Sequence, residues 1–178
     1  PDWCILDLDP KEAPLSSVVA IAQTIRELCD EIALPVFAKT SGKTGLHLLI
    51  PMGKGFTYTQ QKLLGELLAR VVEARVPGIA TTERMPAQRE GKVYVDYLQN
   101  GKGKLLVAPY SARPVPAATV SAPLSWDEVD DGLRLDAFTI QTMPQRLAIL
   151  AADPLAGVLE ARSDIRKSLS ALAEHMPA

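Results

Sequence analysis

WCILDLD (3–9) is a short apolar run broken by two acids and stopped by Pro10, the pattern of a β-strand. Alternation sends Cys4, Leu6 and Leu8 to one face and Ile5, Asp7 and Asp9 to the other. Working outward, residues 15–32 place Val18, Ile21, Ile25, Leu28, Cys29 and Ile32 at helical spacing, which predicts an amphipathic helix. LPVFAKT (34–40), the turn-like SGKTG (41–45) and LHLLIPM (46–52) read as a hairpin. A second helix is expected over roughly 59–76, with Leu63, Leu64, Leu67, Leu68, Val71 and Val72 on one side, and KVYVDYLQ (92–99) is another strand. The order β-α-β-β-α-β predicts an α+β fold, a ferredoxin-like or RRM-like split unit. Its antiparallel sheet is half-open, with the first strand between the third and fourth and both helices on one face.

The same alternation applies to the other strands. Leu46, Leu48 and Ile50 go inward while His47 and Leu49 do not; Val93, Val95 and Tyr97 go inward while Lys92, Tyr94 and Asp96 do not. Asp7, Asp9, His47 and Asp96 therefore converge on the open face. Carboxylates two apart on a strand project roughly 6–7 Å apart. Asp96 from the neighbouring strand would close a cage of hard oxygen ligands suited to Mg²⁺ or Mn²⁺. Two such ions about 3.5–4 Å apart activate an attacking hydroxyl and stabilise a leaving pyrophosphate. Read alone, DLD is equally a strand end with solvated acids. A mid-strand acid between Tyr94 and Tyr97 is harder to explain without a purpose.

SGKTGLH (41–47) offers hydroxyls at Ser41 and Thr44, turn amides around Gly45, a cation at Lys43 and an imidazole at His47. These groups suit a triphosphate. The spacing is not a Walker A loop, and a strand rather than a helix follows. Ser-Gly turns with a lysine are common, and a lone strand histidine is more often structural; the neighbouring acids favour a functional His47. Lys104 and Arg113 flank LLVAPYSA and read either as phosphate contacts at the edge of the same site or as solvated surface charges.

The chain has 178 residues, 47% hydrophobic and 22% charged, enough for one globular domain. We divide it into a catalytic core at 1–113 and an extension at 114–178 packed on that core. No apolar run is long enough to span a membrane, and no signal peptide is visible before the first strand. A cytoplasmic bacterial location, close to the nucleoid, is expected. Cys4 and Cys29 fall on apolar faces as free thiols. A net charge of −2 excludes a generally basic nucleic-acid coat protein, so nucleic acid must meet a local patch. Residues 84–113 supply one, with Arg84, Arg89, Lys92, Lys102, Lys104 and Arg113 against Glu90 and Asp96. Toward the C-terminus, LLVAP (105–109) reads as a short strand and 114–123 as a Pro-rich crossing. SWDEVDDGL starts a helix with a Ser125–Glu128 capping box, and helices follow at PQRLAILAA and about 155–173. Trp3 and Trp126 read as packing anchors.

PDWCILDLDP, KTSGKTGLHLLIP, KVYVDYLQN, APYSAR and TVSAPLSWDEV resemble, in this order, the polymerase domain of bacterial DNA ligase D, of the archaeo-eukaryotic primase superfamily. The resemblance covers essentially the whole chain. It implies that Asp7 and Asp9 form the first metal motif and Asp96 the third carboxylate. It implies also that Ser41 and His47 contact the incoming triphosphate, with Lys43, Lys104 and Arg113 helping. Relatives often carry Lys where this chain has Thr44, so here the cation stands one place earlier. The implied activity is two-metal addition of nucleotides, ribonucleotides and Mn²⁺ preferred, to DNA 3′ ends in non-homologous end joining. The implied partners are nucleoside triphosphates, 5′-phosphorylated primer–template ends, a fused or associated ligase domain and an end-binding protein. A sizeable α/β module ordinarily precedes the first acidic motif. A sequence opening on Pro-Asp-Trp is accordingly expected to be either a fragment or an unusually short relative, with the metal and triphosphate half of the site. Two other readings remain: a stand-alone primase, and a non-catalytic single-strand-binding fragment. The latter needs stacking aromatics on the open face, where Tyr94 is the clear candidate. A DxD sugar-nucleotide transferase fits the split unit poorly.

Overall fold

The computed structural model describes residues 1–177. Its chain order is β1 (Trp3–Asp9), α1 (Leu15–Glu31), β2 (Phe37–Thr40), β3 (Leu46–Pro51), α2 (Tyr58–Arg75), β4 (Ala80–Thr81), β5 (Val93–Asp96), β6 (Pro123–Leu124), α3 (Met143–Ile149) and α4 (Ile165–Ala173). One mixed sheet runs β4-β5-β1-β3-β2-β6. β1 lies between β3 and β5, both antiparallel to it, as the split α+β unit requires. Two short edge strands are additions to that unit: β4 pairs parallel with β5, and β6 antiparallel with β2.

Cys4, Leu6, Leu8, Leu46, Leu48, Ile50, Val93 and Val95 point to the helical face and are fully buried. α1 answers with Val18, Ile21, Ala22, Ile25, Leu28 and Cys29. α2 starts at a capping box, Thr57 accepting from the Gln60 amide while the Gln60 side chain accepts from the Thr57 amide, so two of the free helix-end donors are satisfied. Its buried stripe is Gln61, Leu64, Gly65, Leu68, Ala69, Val71 and Val72. Leu63, expected inward, is 52% exposed, since the stripe is centred one position further round the helix.

The other sheet face divides in two. Ile5, Leu49 and Phe37 stand in one row across β1, β3 and β2. The turn at 156–158 covers this apolar end, where a methyl on Gly157 would lie 3.1 Å from the Phe37 ring. The next row on the face is polar and remains accessible.

Several C-terminal expectations need correction. Residues 105–109 form no strand: Leu105 is 91% exposed and the segment lines a cavity. The Ser125–Glu128 capping box forms, but it closes one turn, Trp126–Glu128, rather than a helix. Helix is confined to Ile165–Ala173 within 155–173, preceded by the single turn Ala156–Val158. Trp126 does anchor packing, its indole N–H donating to the Val36 carbonyl at 3.0 Å. β6 and the buried Val120, Ala122, Met143, Ile165 and Leu172 share the main hydrophobic cluster with residues of the first half of the chain.

Candidate active site

The polar row is built by register. Asp96 of β5 stands opposite Asp7 of β1, Asp7 opposite His47 of β3, and His47 opposite Lys39 of β2. Four strands thus carry one polar residue each at the same height. Asp9, one alternation further along β1, stands opposite Tyr94.

The side chains form a chain of contacts. Asp7 Oδ1 is 3.5 Å from His47 Nε2, and His47 Nδ1 is 2.8 Å from Lys39 Nζ. Lys39 Nζ also donates to Ser121 Oγ at 2.7 Å, and Ser121 in turn donates to the Thr40 carbonyl at 2.7 Å. Burial first, then Asp96 and Asp9, push the Asp7 carboxyl up to about 7. Burial, with Lys39 and Arg113 behind it, pushes His47 down to about 3, so the ring is neutral. Burial likewise brings Lys39 down to about 7, against the pull of Asp7.

The other two acids are engaged. Asp9 Oδ2 accepts from Arg89 Nη1 at 3.0 Å, and Arg89 also donates to the Glu83 and Arg84 carbonyls. Asp96 Oδ1 accepts from the Leu98 amide at 2.7 Å, and Oδ2 from Gln99 at 3.3 Å. Accordingly, no group of three acids, histidines or cysteines converges as a ready cation cage among the described residues. The donor chemistry nonetheless fits a divalent cation. A half-buried carboxyl facing two others, with its charge disfavoured, is what a hard positive ion relieves.

The β2–β3 turn packs against the end of β1. A methyl on Gly45 would lie 1.9 Å from the Leu8 carbonyl oxygen, so only glycine brings the turn this close. Gly42 has φ +71°, and a methyl there would meet Arg113 Cγ at 2.6 Å; Arg113 lies directly across the turn. Ser41 Oγ accepts from the Lys43 and Gly45 amides at 3.2 and 3.1 Å. Those two amides are thus occupied inside the turn, while the Ser41 hydroxyl proton stays available to a ligand. Arg113 Nε is buried without a partner among the described residues.

All ten residues singled out in the sequence — Asp7, Asp9, Ser41, Lys43, Thr44, Gly45, His47, Asp96, Lys104 and Arg113 — line a single cavity of about 760 Å³. Sequence reasoning missed Lys39 and Asn100, although strand alternation puts Lys39 on the face of His47. It also left Lys62, which lines the cavity, unremarked. Tyr94 is no stacking platform: it is 3% exposed, with the Arg89 guanidinium 4.3 Å from its ring centre. The single-strand-binding alternative thereby loses the aromatic on which it depended.

A family model described as LigD, primase-polymerase domain, matches residues 1–155. The bifunctional non-homologous end joining protein LigD of Bacillus subtilis is 36% identical over 149 residues, 83% of this chain and 24% of that protein. The multifunctional LigD of Pseudomonas aeruginosa is 34% identical over 154 residues, 86% and 18% respectively. The chain thus spans a quarter or less of these relatives' length. Among solved structures, the polymerase domain of Mycobacterium tuberculosis ligase D in complex with DNA superposes with a TM-score of 0.82 at 32% identity. That match covers 91% of this chain and 56% of that one.

Proposed function

The chain belongs to the LigD primase–polymerase family, and from that premise we propose that it is a nucleotidyltransferase that adds nucleotides to DNA 3′ ends in end-joining repair. The observation that carries the proposal is the row Asp96–Asp7–His47–Lys39 in one cavity with the Ser41–Gly45 turn and Arg113. Such a cavity offers acids at its floor for a cation and donors along one wall for a polyphosphate.

Asp7, Asp9 and Asp96 would hold two divalent ions, Mn²⁺ or Mg²⁺, which would supply Lewis acidity to an attacking 3′-hydroxyl and offset charge on a departing pyrophosphate. Ser41 donates its hydroxyl proton and His47 its Nε2 proton to phosphate oxygens. Arg113, Lys43 and Lys104 offset phosphate charge, and Thr44 adds an exposed hydroxyl at the rim. Held this way, the triphosphate presents its α-phosphorus to the 3′-oxygen in line with the leaving group. Ribonucleotides over deoxyribonucleotides, 5′-phosphorylated ends as substrates and a linked ligase and end-binding protein as partners complete the proposal.

Extension of a labelled primer–template with Mn²⁺ and each nucleotide type tests it. Wild type extends, and Asp96→Asn, with its fold intact by circular dichroism, does not. Near-normal extension by Asp96→Asn would remove that residue from the chemistry.

A further inference from the structure

Lys39 has no exposed surface, yet it is a charged side chain on the same row as the proposed catalytic acids. A buried ammonium must be repaid by donors' partners, and here two are identifiable: His47 Nδ1 at 2.8 Å and Ser121 Oγ at 2.7 Å. Ser121 spends its own proton on the Thr40 carbonyl, so toward Lys39 it can only accept. While Lys39 carries its ammonium it has three protons and no lone pair, and toward His47 it can only donate. With that ammonium in place, Nδ1 is the bare nitrogen of the ring. On the opposite side, Nε2 faces Asp7 Oδ1 at 3.5 Å, which in its ionised form is an acceptor for a proton on Nε2.

We infer that Lys39 is a positioning residue that holds His47 in the Nε2–H tautomer, so that the ring donates into the cavity rather than presenting a lone pair to it. A phosphate oxygen is attracted by the first arrangement and repelled by the second. The use assigned to the tautomer rests on the nucleotide-binding reading above, but the tautomer itself does not. The device is anchored from a distance, because Ser121 comes from a segment that follows β5 and closes over β2. It also explains why a lysine is tolerated there at all: Ser121 and the ring nitrogen leave its ammonium two partners in an otherwise closed slot.

Histidine ¹⁵N labelling tests this directly, because the chain has two histidines, His47 and His175. His175 lies against Arg75 and Glu31, so an unmoved His175 signal reports an intact fold. In cation-free wild type, His47 is expected to show a protonated Nε2 and a bare Nδ1. Lys39→Met should release the ring into a mixture of tautomers. It should also raise the nucleotide KM roughly ten-fold, the effect typical of losing one charge-assisted contact, with much less change in kcat. Ser121→Ala, a milder change, should shift the ring in the same direction. Wild-type His47 carrying its proton on Nδ1 overturns the inference without any variant. So does an unchanged Nε2–H tautomer in Lys39→Met, whatever happens to KM. The functional reading fails differently: His47→Ala would leave nucleotide KM and kcat unaltered.

Discussion

Asp7 is held where its charge is disfavoured, its carboxyl raised from 3.8 to about 7 by burial, Asp96 and Asp9. For an acid raised in the folded state, the native form keeps a proton that the unfolded chain has released between those two values. The Asp7 contribution therefore lowers stability as pH climbs from about 4 to about 7. His47 works the other way: lowered from 6.5 to about 3, it lets the unfolded chain bind the extra proton, so its contribution raises stability over that window. The two oppose each other in the wild-type profile, and a difference isolates Asp7. In cation-free buffer Asp7→Asn should melt higher than wild type, by a margin that widens from pH 4 to pH 7; Mg²⁺ or Mn²⁺ should stabilise wild type and not the variant. Scanning calorimetry at several pH values decides it, and a margin that narrows with rising pH would show that Asp7 bears no such strain. At this scale the sequence was readable wherever a polar or charged group interrupts an apolar strand, as Asp7, Asp9, His47 and Asp96 do. Lys39 obeys the same alternation, yet a lysine two residues before a turn reads as surface. What buries it is Ser121, 82 positions further along, and no local pattern encodes that contact.

β5 hydrogen-bonds to β1 only alongside Asp7–Asp9, after which the chain leaves the sheet. Asn100 continues the pairing with its side chain: Oδ1 accepts from the Ile5 amide at 2.8 Å and Nδ2 donates to the Ile5 carbonyl at 2.7 Å. Gly65 of α2 leaves the room, since a methyl there would lie 2.8 Å from Asn100 Nδ2. Asn100→Ala strands two buried backbone groups and should cost about 2–4 kcal/mol in urea denaturation. Asn100→Asp, which cannot donate to the Ile5 carbonyl, should be no better; wild-type stability in either variant would mean that water replaces the amide. The turn after β2 is as constrained. Gly45→Ala forces a methyl into the Leu8 carbonyl and should cost at least about 2–3 kcal/mol. It should also displace Asp7 and Asp9, so that activity falls more than the loss of folded protein explains. Long periodic elements were legible because their apolar spacing survives in the sequence: β1, β3, α1 and α2 fall within a residue or two of expectation. β4 and β6, two residues each, carry no pattern to read. Residues 105–109 are apolar enough for a strand, but β4 and β6 already occupy both sheet edges, and the segment borders the cavity instead.

The basic cluster read from residues 84–113 is redistributed by the fold. Arg89 is buried and committed to Asp9, two carbonyls and the Tyr94 ring, while Lys92 and Lys102 lie outside the cavity lining. The cations left on the lining are Lys43, Lys62, Arg84, Lys104 and Arg113, five in number and drawn from four separate stretches of chain. They surround a floor of three acids, on a molecule whose net charge is −2. A nucleic-acid strand that enters this cavity can therefore release few counterions. At about 0.7 per neutralised phosphate, five contacts give a slope of log K against log salt of about −3.5 for single-stranded DNA. Because the acids repel phosphate, a divalent cation should tighten binding rather than compete with it. Removing a lining cation is expected to flatten the slope by about 0.7 for each of Lys104→Ala and Arg84→Ala, while Lys102→Ala leaves it unchanged. Fluorescence anisotropy of a labelled strand, titrated at several salt concentrations with Mg²⁺ fixed, measures all three. If Lys102→Ala flattened the slope as much as Lys104→Ala, or if the wild-type slope were about twice as steep, the strand would be running over surface outside this cavity. The site described here would then hold only the nucleotide.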